Sequence, residues 1–175
     1  MYDVEQAFLA IDENGYGPLM GPLLATGVLA TADVDRGWEE FVADSKRFFS
    51  RTPRGFSRIE SFSLALFRLI YGDFPASTQD LFACSGEFVC LQTPTICYGS
   101  LPGLFSRCTK DEAVSQAGTL DDFCRKHDVR LLGIHVALMC PFRFNRFFAE
   151  TDNRKDYLNY LQFERTMMWA SEKVS

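Results

Sequence analysis

The sequence has no run of apolar residues long enough to cross a membrane. A span needs about 18 consecutive apolar residues, and the longest apolar runs here are interrupted by Asp, Arg or Gly. A secretory leader begins with basic residues, whereas this chain begins MYDVEQAF, with two acids and no base. Repeats and low-complexity tracts are absent as well. We therefore expect a cytoplasmic protein that has no membrane partner.

The six cysteines lack the spacing of a zinc knuckle. No two of them are separated by the two or four residues that tetrahedral sites use. Reduced and mostly buried thiols are the expected state in a cytoplasmic chain. A zinc site is the alternative, and it would use the first four of the set Cys84, Cys90, Cys97, Cys108, Cys124 and Cys140.

The size and composition indicate one domain over residues 1–175. A hydrophobic content of 47% is enough for a single core, and a charged content of 23% is ordinary for a folded protein. The net charge of −5 opposes nonspecific binding of nucleic acid by the molecule as a whole. A local basic run nevertheless contains five cations and no acid, so it can bind phosphate: Lys46, Arg47, Arg51, Arg54 and Arg58.

Hydrophobic patterning predicts a mixed α/β protein. Three short apolar runs, at 7–11, 23–30 and 129–140, are typical of strands, the first two joined by a long hairpin loop. His135 in the third run is expected to pack in the core or on the sheet rather than to catalyse. His127 is expected to lie near a helix end at the surface.

Helical signals fall between and after these strands. Apolar residues at three- and four-residue steps predict a helix over 56–70 that ends near Gly72. Thr109 and Glu112 form a capping box, which predicts a second helix through about His127. Pro141 opens a third helical stretch, and a fourth amphipathic segment covers 157–169.

Two neighbouring acids, Asp12 and Glu13, precede a loop with three glycines and two prolines between Gly15 and Pro22. Adjacent strand residues point to opposite faces, so the two carboxylates converge only if the chain bends there, which glycine permits. Gathered carboxylates need a cation, and hard oxygen ligands suit Mg²⁺ or Mn²⁺. In the alternative interpretation Asp12 caps the turn and Glu13 is solvated.

The string IDENGYGPLMGPLLATGVL resembles the first motif of the ribonuclease HII family, the type 2 ribonucleases H. ADSKR at 43–47 is similar to the family's Asp-Ser-Lys element, and 131–170 is similar to its third strand and next helix. The resemblance covers 7–60 and 131–170, and the segment 72–130 has the character of an insertion. The first motif matches at Asp12, Glu13, Gly15, Gly17, Pro18, Leu19, Gly21 and Pro22.

The resemblance implies a ribonuclease H-like mixed sheet with flanking helices that lacks the later strands of the fold. It also implies hydrolysis of the RNA strand of RNA/DNA hybrids, or of ribonucleotide-containing duplexes, with two Mg²⁺ or Mn²⁺ ions. Asp12 would bridge the metals and Glu13 would hold one of them. Gly15 and Gly17 would contact the ribose 2′-hydroxyl, and Ser45 and Lys46 would contact phosphates.

Two departures from the family's pattern affect these expectations. Tyr16 stands where the family has Arg, so the charged donor to phosphate or sugar is missing, and an aromatic ring there can instead stack on a base or sugar. The family's third and fourth carboxylates, on later elements, have no counterpart, so a divergent and C-terminally incomplete member is expected. The alternatives are a non-catalytic nucleic-acid-binding module and an interaction domain that keeps the motif only as a hairpin.

Overall fold

The computed structural model describes residues 6–14, 23–32, 50–78, 80–81, 103–150 and 154–175. The three strands pair antiparallel in the order β1-β2-β3, and four helices of ten residues or more accompany them in the described ranges. This architecture confirms the mixed α/β prediction, and the ribonuclease H-like fold stays a prediction. The elements are β1 (Gln6–Asn14), β2 (Leu23–Ala32), α1 (Pro53–Tyr71), α2 (Lys110–Lys126), β3 (Arg130–Met139), α3 (Pro141–Glu150) and α4 (Lys155–Val174).

The predicted elements are present, with boundaries shifted by a few residues. Helix α4 extends furthest beyond its predicted bounds, and β1 continues past the apolar run to include Asp12 and Glu13. Helix α2 begins with the predicted capping box: the Thr109 hydroxyl accepts from the Glu112 N–H, and the Glu112 carboxylate accepts from the Thr109 N–H. Helix α1 ends at Gly72, whose φ of 88° is the left-handed conformation that terminates helices.

The chain divides into two compact units, one with α1 and α2 and the other with α3, α4 and the greater part of each strand. In the first unit α1 packs against α2. Its core consists of Leu64, Cys108 and Ala113. Phe74 and Phe105 pack on that core, with their rings edge to face at 5.6 Å. The segment before α2 is therefore part of the α1–α2 core.

A carboxylate on α1 fixes the same segment. One oxygen of Glu60 accepts the N–H and the hydroxyl of Ser106 (3.0 and 3.1 Å), and the other accepts the N–H groups of Arg107 and Cys108 (2.6 and 2.7 Å). Burial alone would raise the pKa of Glu60, but these backbone hydrogen bonds outweigh it and leave the pKa below its ordinary 4.5. Glu60 is thus a charged anchor between α1 and the start of α2.

In the second unit, α4 approaches the sheet closely through a polar face. Thr166 and Gln162 are fully buried, and the Thr166 hydroxyl donates to the Gln162 carbonyl at 3.1 Å. Thr166 Oγ1 also lies 3.1 Å from Nδ1 of the buried His135 on β3. The Thr166 methyl occupies the place where a Cβ at Gly27 of β2 would stand. Only glycine therefore permits this helix–sheet distance.

His135 fulfils the expectation of a packed strand residue. Its ring stacks on Trp169 of α4 with centroids 5.2 Å apart, and Trp169 also lies 2.9 Å from the position of a Cβ at Gly133. Next to this contact, the end of β3 packs with α3 and α4 through Met139 and Leu158. The sheet in this unit is therefore held by α4 through both polar and aromatic contacts.

Candidate functional site

Asp12 and Glu13 lie near the end of β1, which is an edge strand of the three-stranded sheet that the described residues form. Asp12 is exposed and Glu13 is half-buried. Oδ1 of the Asp12 carboxylate accepts the N–H of the next residue, Glu13, at 2.9 Å. The pair predicted from the sequence therefore lies inside a regular strand rather than in a bend.

The two carboxylates belong to opposite faces of β1. A Leu9 methyl lies 3.3 Å from the position of a Cβ at Gly27, which places Leu9 on the face that α4 covers. Because strand side chains alternate, Ile11 and Glu13 share that face and Asp12 lies on the other. The exposure pattern agrees, since Leu9, Ile11 and Glu13 are half-buried whereas Ala10 and Asp12 are exposed.

This geometry bears directly on the Mg²⁺ or Mn²⁺ pair that the resemblance implies. Oxygen ligands around a hard cation must converge within about 2.0–2.6 Å of it, and carboxylates on opposite faces of a strand do not converge. In the ranges that the structure describes, no group of three or more His, Cys, Asp or Glu side chains could hold a metal ion. Asp12 offers one exposed oxygen ligand, but Asp12 and Glu13 together do not fit one metal while β1 is regular.

The remaining residues of the predicted site lie outside the described residues. They are the glycine loop and the Asp-Ser-Lys element, that is, Gly15, Tyr16, Gly17, Ser45 and Lys46. Their assigned contacts with the ribose hydroxyl and with phosphates stay predictions.

Part of the basic run lies at the start of α1. Arg51, Arg54 and Arg58 are exposed, and Arg54 and Arg58 are one turn apart on the same side of the helix. No acidic residue occupies the first turn of α1, so the positive end of the helix dipole adds to the arginine charge. This end of α1 is therefore electropositive, as the sequence predicted.

Three of the cysteines are free and buried, namely Cys108, Cys124 and Cys140. Burial, together with the hydrogen bond and charge of Glu60, raises the pKa of Cys108 to about 12. Its thiol therefore stays protonated at neutral pH and is a poor nucleophile. The expectation of reduced, buried thiols is confirmed for these three, and the other three lie outside the described ranges.

His127 takes the C-cap position of α2, in agreement with its predicted place near a helix end. Its ring packs on Phe123, one turn earlier, with centroids 4.5 Å apart.

A basic cleft in the second unit was not predicted from the sequence. It has a volume of about 280 Å³. Its signal in the sequence is weak: Arg143, Arg146 and Glu150 recur with helical spacing on α3, but nothing local indicates that Arg165 of α4 joins them. The residues that line the basic cleft are Leu138, Met139, Arg143, Arg146, Phe147, Glu150 and Arg165.

Comparison of the chain with protein-family models, with curated proteins and with solved structures found no match. None of the helices in the described ranges has the length and apolar character that crossing a membrane requires.

Proposed function

We propose that this chain is a ribonuclease HII-like protein that binds RNA/DNA hybrids or ribonucleotide-containing duplexes and cleaves the RNA strand. The observation that carries the proposal is the Asp12 carboxylate, which is exposed near the end of an edge strand. The glycine loop that resembles the family's first motif follows that strand directly. An acid so placed is accessible to a duplex that contacts the loop.

The electropositive start of α1 supports the choice of a nucleic acid as partner. Arginines bind phosphate oxygens through a planar fork of donors, and phosphate contacts supply most of the affinity in nonspecific binding of nucleic acid. Arg51, Arg54 and Arg58 are exposed and follow the Ser45–Lys46 element closely in sequence. Hybrid binding is therefore expected to weaken as the salt concentration rises.

The proposed cofactor is Mg²⁺ or Mn²⁺, which when bound would neutralise phosphate charge and supply an activated water. Of the two predicted metal ligands, Asp12 is the exposed one and is open to such an ion. Glu13 reaches the same ion only if the backbone at Asp12–Glu13 departs from the regular strand. The residues of β1 therefore supply at most one ligand in the described geometry.

A hybrid-binding protein without hydrolytic activity is the second candidate. The observation that favours it is that Asp12 and Glu13 lie on opposite faces of β1, so that they do not converge on one ion in the described geometry. The two candidates share a substrate and differ in whether the RNA strand is cut.

One experiment separates the two candidates. A 5′-labelled RNA/DNA hybrid is incubated with the protein in Mg²⁺ and in Mn²⁺, and cleavage of the RNA strand is followed by electrophoresis. Asp12→Asn removes the charge and keeps an oxygen that can accept the Glu13 N–H. Asp73→Asn is the matched control, because exposed Asp73 accepts the N–H of its next residue in the same way, at 2.7 Å.

The proposal predicts cleavage by the wild type and by Asp73→Asn, and about a 100-fold lower rate for Asp12→Asn. Salt-dependent hybrid binding without cleavage, weakened by Lys46→Ala, would establish the second candidate instead. If the hybrid is neither bound nor cut, both candidates are rejected and an interaction domain remains.

A further inference from the structure

The basic cleft is a cavity lined by charged side chains, and it is separate from the residues of the site proposed on β1. Three guanidinium groups and one carboxylate line it, so its local charge is positive in a chain whose net charge is −5. Its three arginines come from two helices, Arg143 and Arg146 from α3 and Arg165 from α4. Such convergence of like charges is costly unless an anion offsets it.

The geometry of α3 holds the cleft open. Arg143, Arg146 and Glu150 recur with a helical spacing that puts them on one face. The neighbouring face carries Phe144 and Phe148, which pack against the core cluster of Met139 and Leu158. Because this packing fixes the rotation of α3, the arginine face is directed into the cleft.

Two of the three arginines are open to an added anion. Arg146 is engaged, since its Nε donates to Glu150 at 2.9 Å. Among the residues that the structure describes, no carboxylate pairs with Arg143 or Arg165. A phosphate group is complementary in charge to these two guanidinium groups, and the guanidinium fork can bind two of its oxygens.

The rest of the cleft is apolar. Leu138 and Met139 are buried and Phe147 is 39% exposed, and all three line the cleft. A volume of about 280 Å³ lies just below the roughly 300–1,000 Å³ typical of small-molecule sites. That space suits one small group. The arginines favour a group with a charged end, and Phe147 favours one with a planar ring, because an aromatic side chain stacks on any nucleobase.

We propose that the basic cleft binds one nucleotide unit, with the phosphate on Arg143 and Arg165 and the base against Phe147. The inference rests on the proposed function for the source of that unit, which is a nucleic-acid strand. A free mononucleotide would make the same contacts in the cleft. The cleft would hold a strand by one phosphate and one base, without a part in hydrolysis.

The test compares three ligands with matched variants. Binding of inorganic phosphate and of AMP is measured by NMR shifts, and binding of a labelled RNA/DNA hybrid by fluorescence anisotropy between about 50 and 200 mM salt. Arg143→Gln/Arg165→Gln removes the two open guanidinium groups. Arg125→Gln/Arg130→Gln is the control, because it removes two exposed charges at a distance in sequence from the cleft. Circular dichroism confirms that each variant is folded.

We expect the cleft variant to weaken AMP binding about tenfold or more, and to lower the salt slope of hybrid binding by about 1 to 2. The control should leave AMP binding unchanged. Phe147→Leu should weaken AMP binding more than phosphate binding, since only AMP carries a base. Glu150→Gln removes the carboxylate from the cleft and should tighten AMP binding roughly two- to fivefold. A gain of affinity cannot come from misfolding.

The outcomes keep this inference separate from the proposed function. AMP binding that depends on Arg143 and Arg165, without hybrid binding, supports the cleft and rejects the hybrid as partner. Hybrid binding that depends on the two arginines, without AMP binding, supports the cleft as a strand contact. Hybrid binding equal in the wild type and the cleft variant, without AMP binding that depends on Arg143 and Arg165, overturns the cleft and leaves the proposed function standing. Absence of all binding overturns both.

Discussion

Replacing Glu60 tests the anchor between α1 and the segment before α2. The Glu60 carboxylate accepts four hydrogen bonds, three of them from the consecutive N–H groups of Ser106, Arg107 and Cys108. In Glu60→Gln one carboxylate oxygen becomes an NH₂ group. Since NH₂ cannot accept, two of the four donors lose their partner, and the negative charge that all four share disappears.

The expected cost follows from the hydrogen bonds that are lost. A hydrogen bond to a charged group contributes about 1.5–3 kcal/mol net when buried. Glu60 is only half-buried, so water partly solvates the donors and each bond is discounted to about 1 kcal/mol. We therefore expect the free energy of unfolding to fall by about 2 kcal/mol in Glu60→Gln, which loses two bonds, and by about 4 kcal/mol in Glu60→Ala, which loses all four.

The assay is urea unfolding followed by circular dichroism, with Glu172→Gln as an exposed control expected to change stability by less than about 0.5 kcal/mol. Because folding lowers the pKa of Glu60 from 4.5, its contribution is complete above that pH and is lost as the pH falls through the folded-state pKa. The difference between wild type and Glu60→Gln should therefore be full at pH 7 and shrink in acid. A difference below about 0.5 kcal/mol at pH 7, or one that does not change with pH, refutes the reasoning.

Two further predictions concern glycines. Gly72→Ala should lower the free energy of unfolding in urea by about 1 kcal/mol, because alanine is strained at a φ of 88°. The added Cβ has no neighbour within 4 Å, so no steric clash contributes. Gly118→Ala, in the interior of α2 with equally open space, should instead raise the free energy of unfolding by up to about 1 kcal/mol. A change of the same sign in both variants would contradict the backbone argument. Gly27→Ala should cost about 1–3 kcal/mol through the clash with the Thr166 methyl. Adding Thr166→Ser should recover most of that loss, and a lack of recovery would reject the close contact as its cause.

Local signals account for the parts of the fold that could be predicted from the sequence. The capping box at Thr109 and Glu112, the glycine after α1 and the proline before α3 each act within one helical turn, so their effect is visible without tertiary structure. Apolar periodicity located the strands for the same reason. The end of β1 was harder to predict from the sequence, because strand pairing with β2 extends the strand beyond the apolar residues as far as Asn14.

The features that could not be predicted depend on contacts between distant residues. Glu60 and the donors it binds are separated by 46 to 48 residues in sequence, and no local pattern marks an acid that caps a remote segment. Arg143 and Arg165 likewise come together only when α3 and α4 pack on the end of β3. The position of Asp12 was predicted at the end of the first strand, but its face depends on whether the strand stays regular.

The most direct test of the proposed function is the rate of RNA-strand cleavage in an RNA/DNA hybrid by the wild type and by Asp12→Asn. We predict metal-dependent cleavage that Asp12→Asn lowers by about 100-fold and that Asp73→Asn leaves unchanged. Cleavage at an equal rate in the wild type and Asp12→Asn, or no cleavage by the wild type in either Mg²⁺ or Mn²⁺, would contradict the proposal that Asp12 serves a ribonuclease.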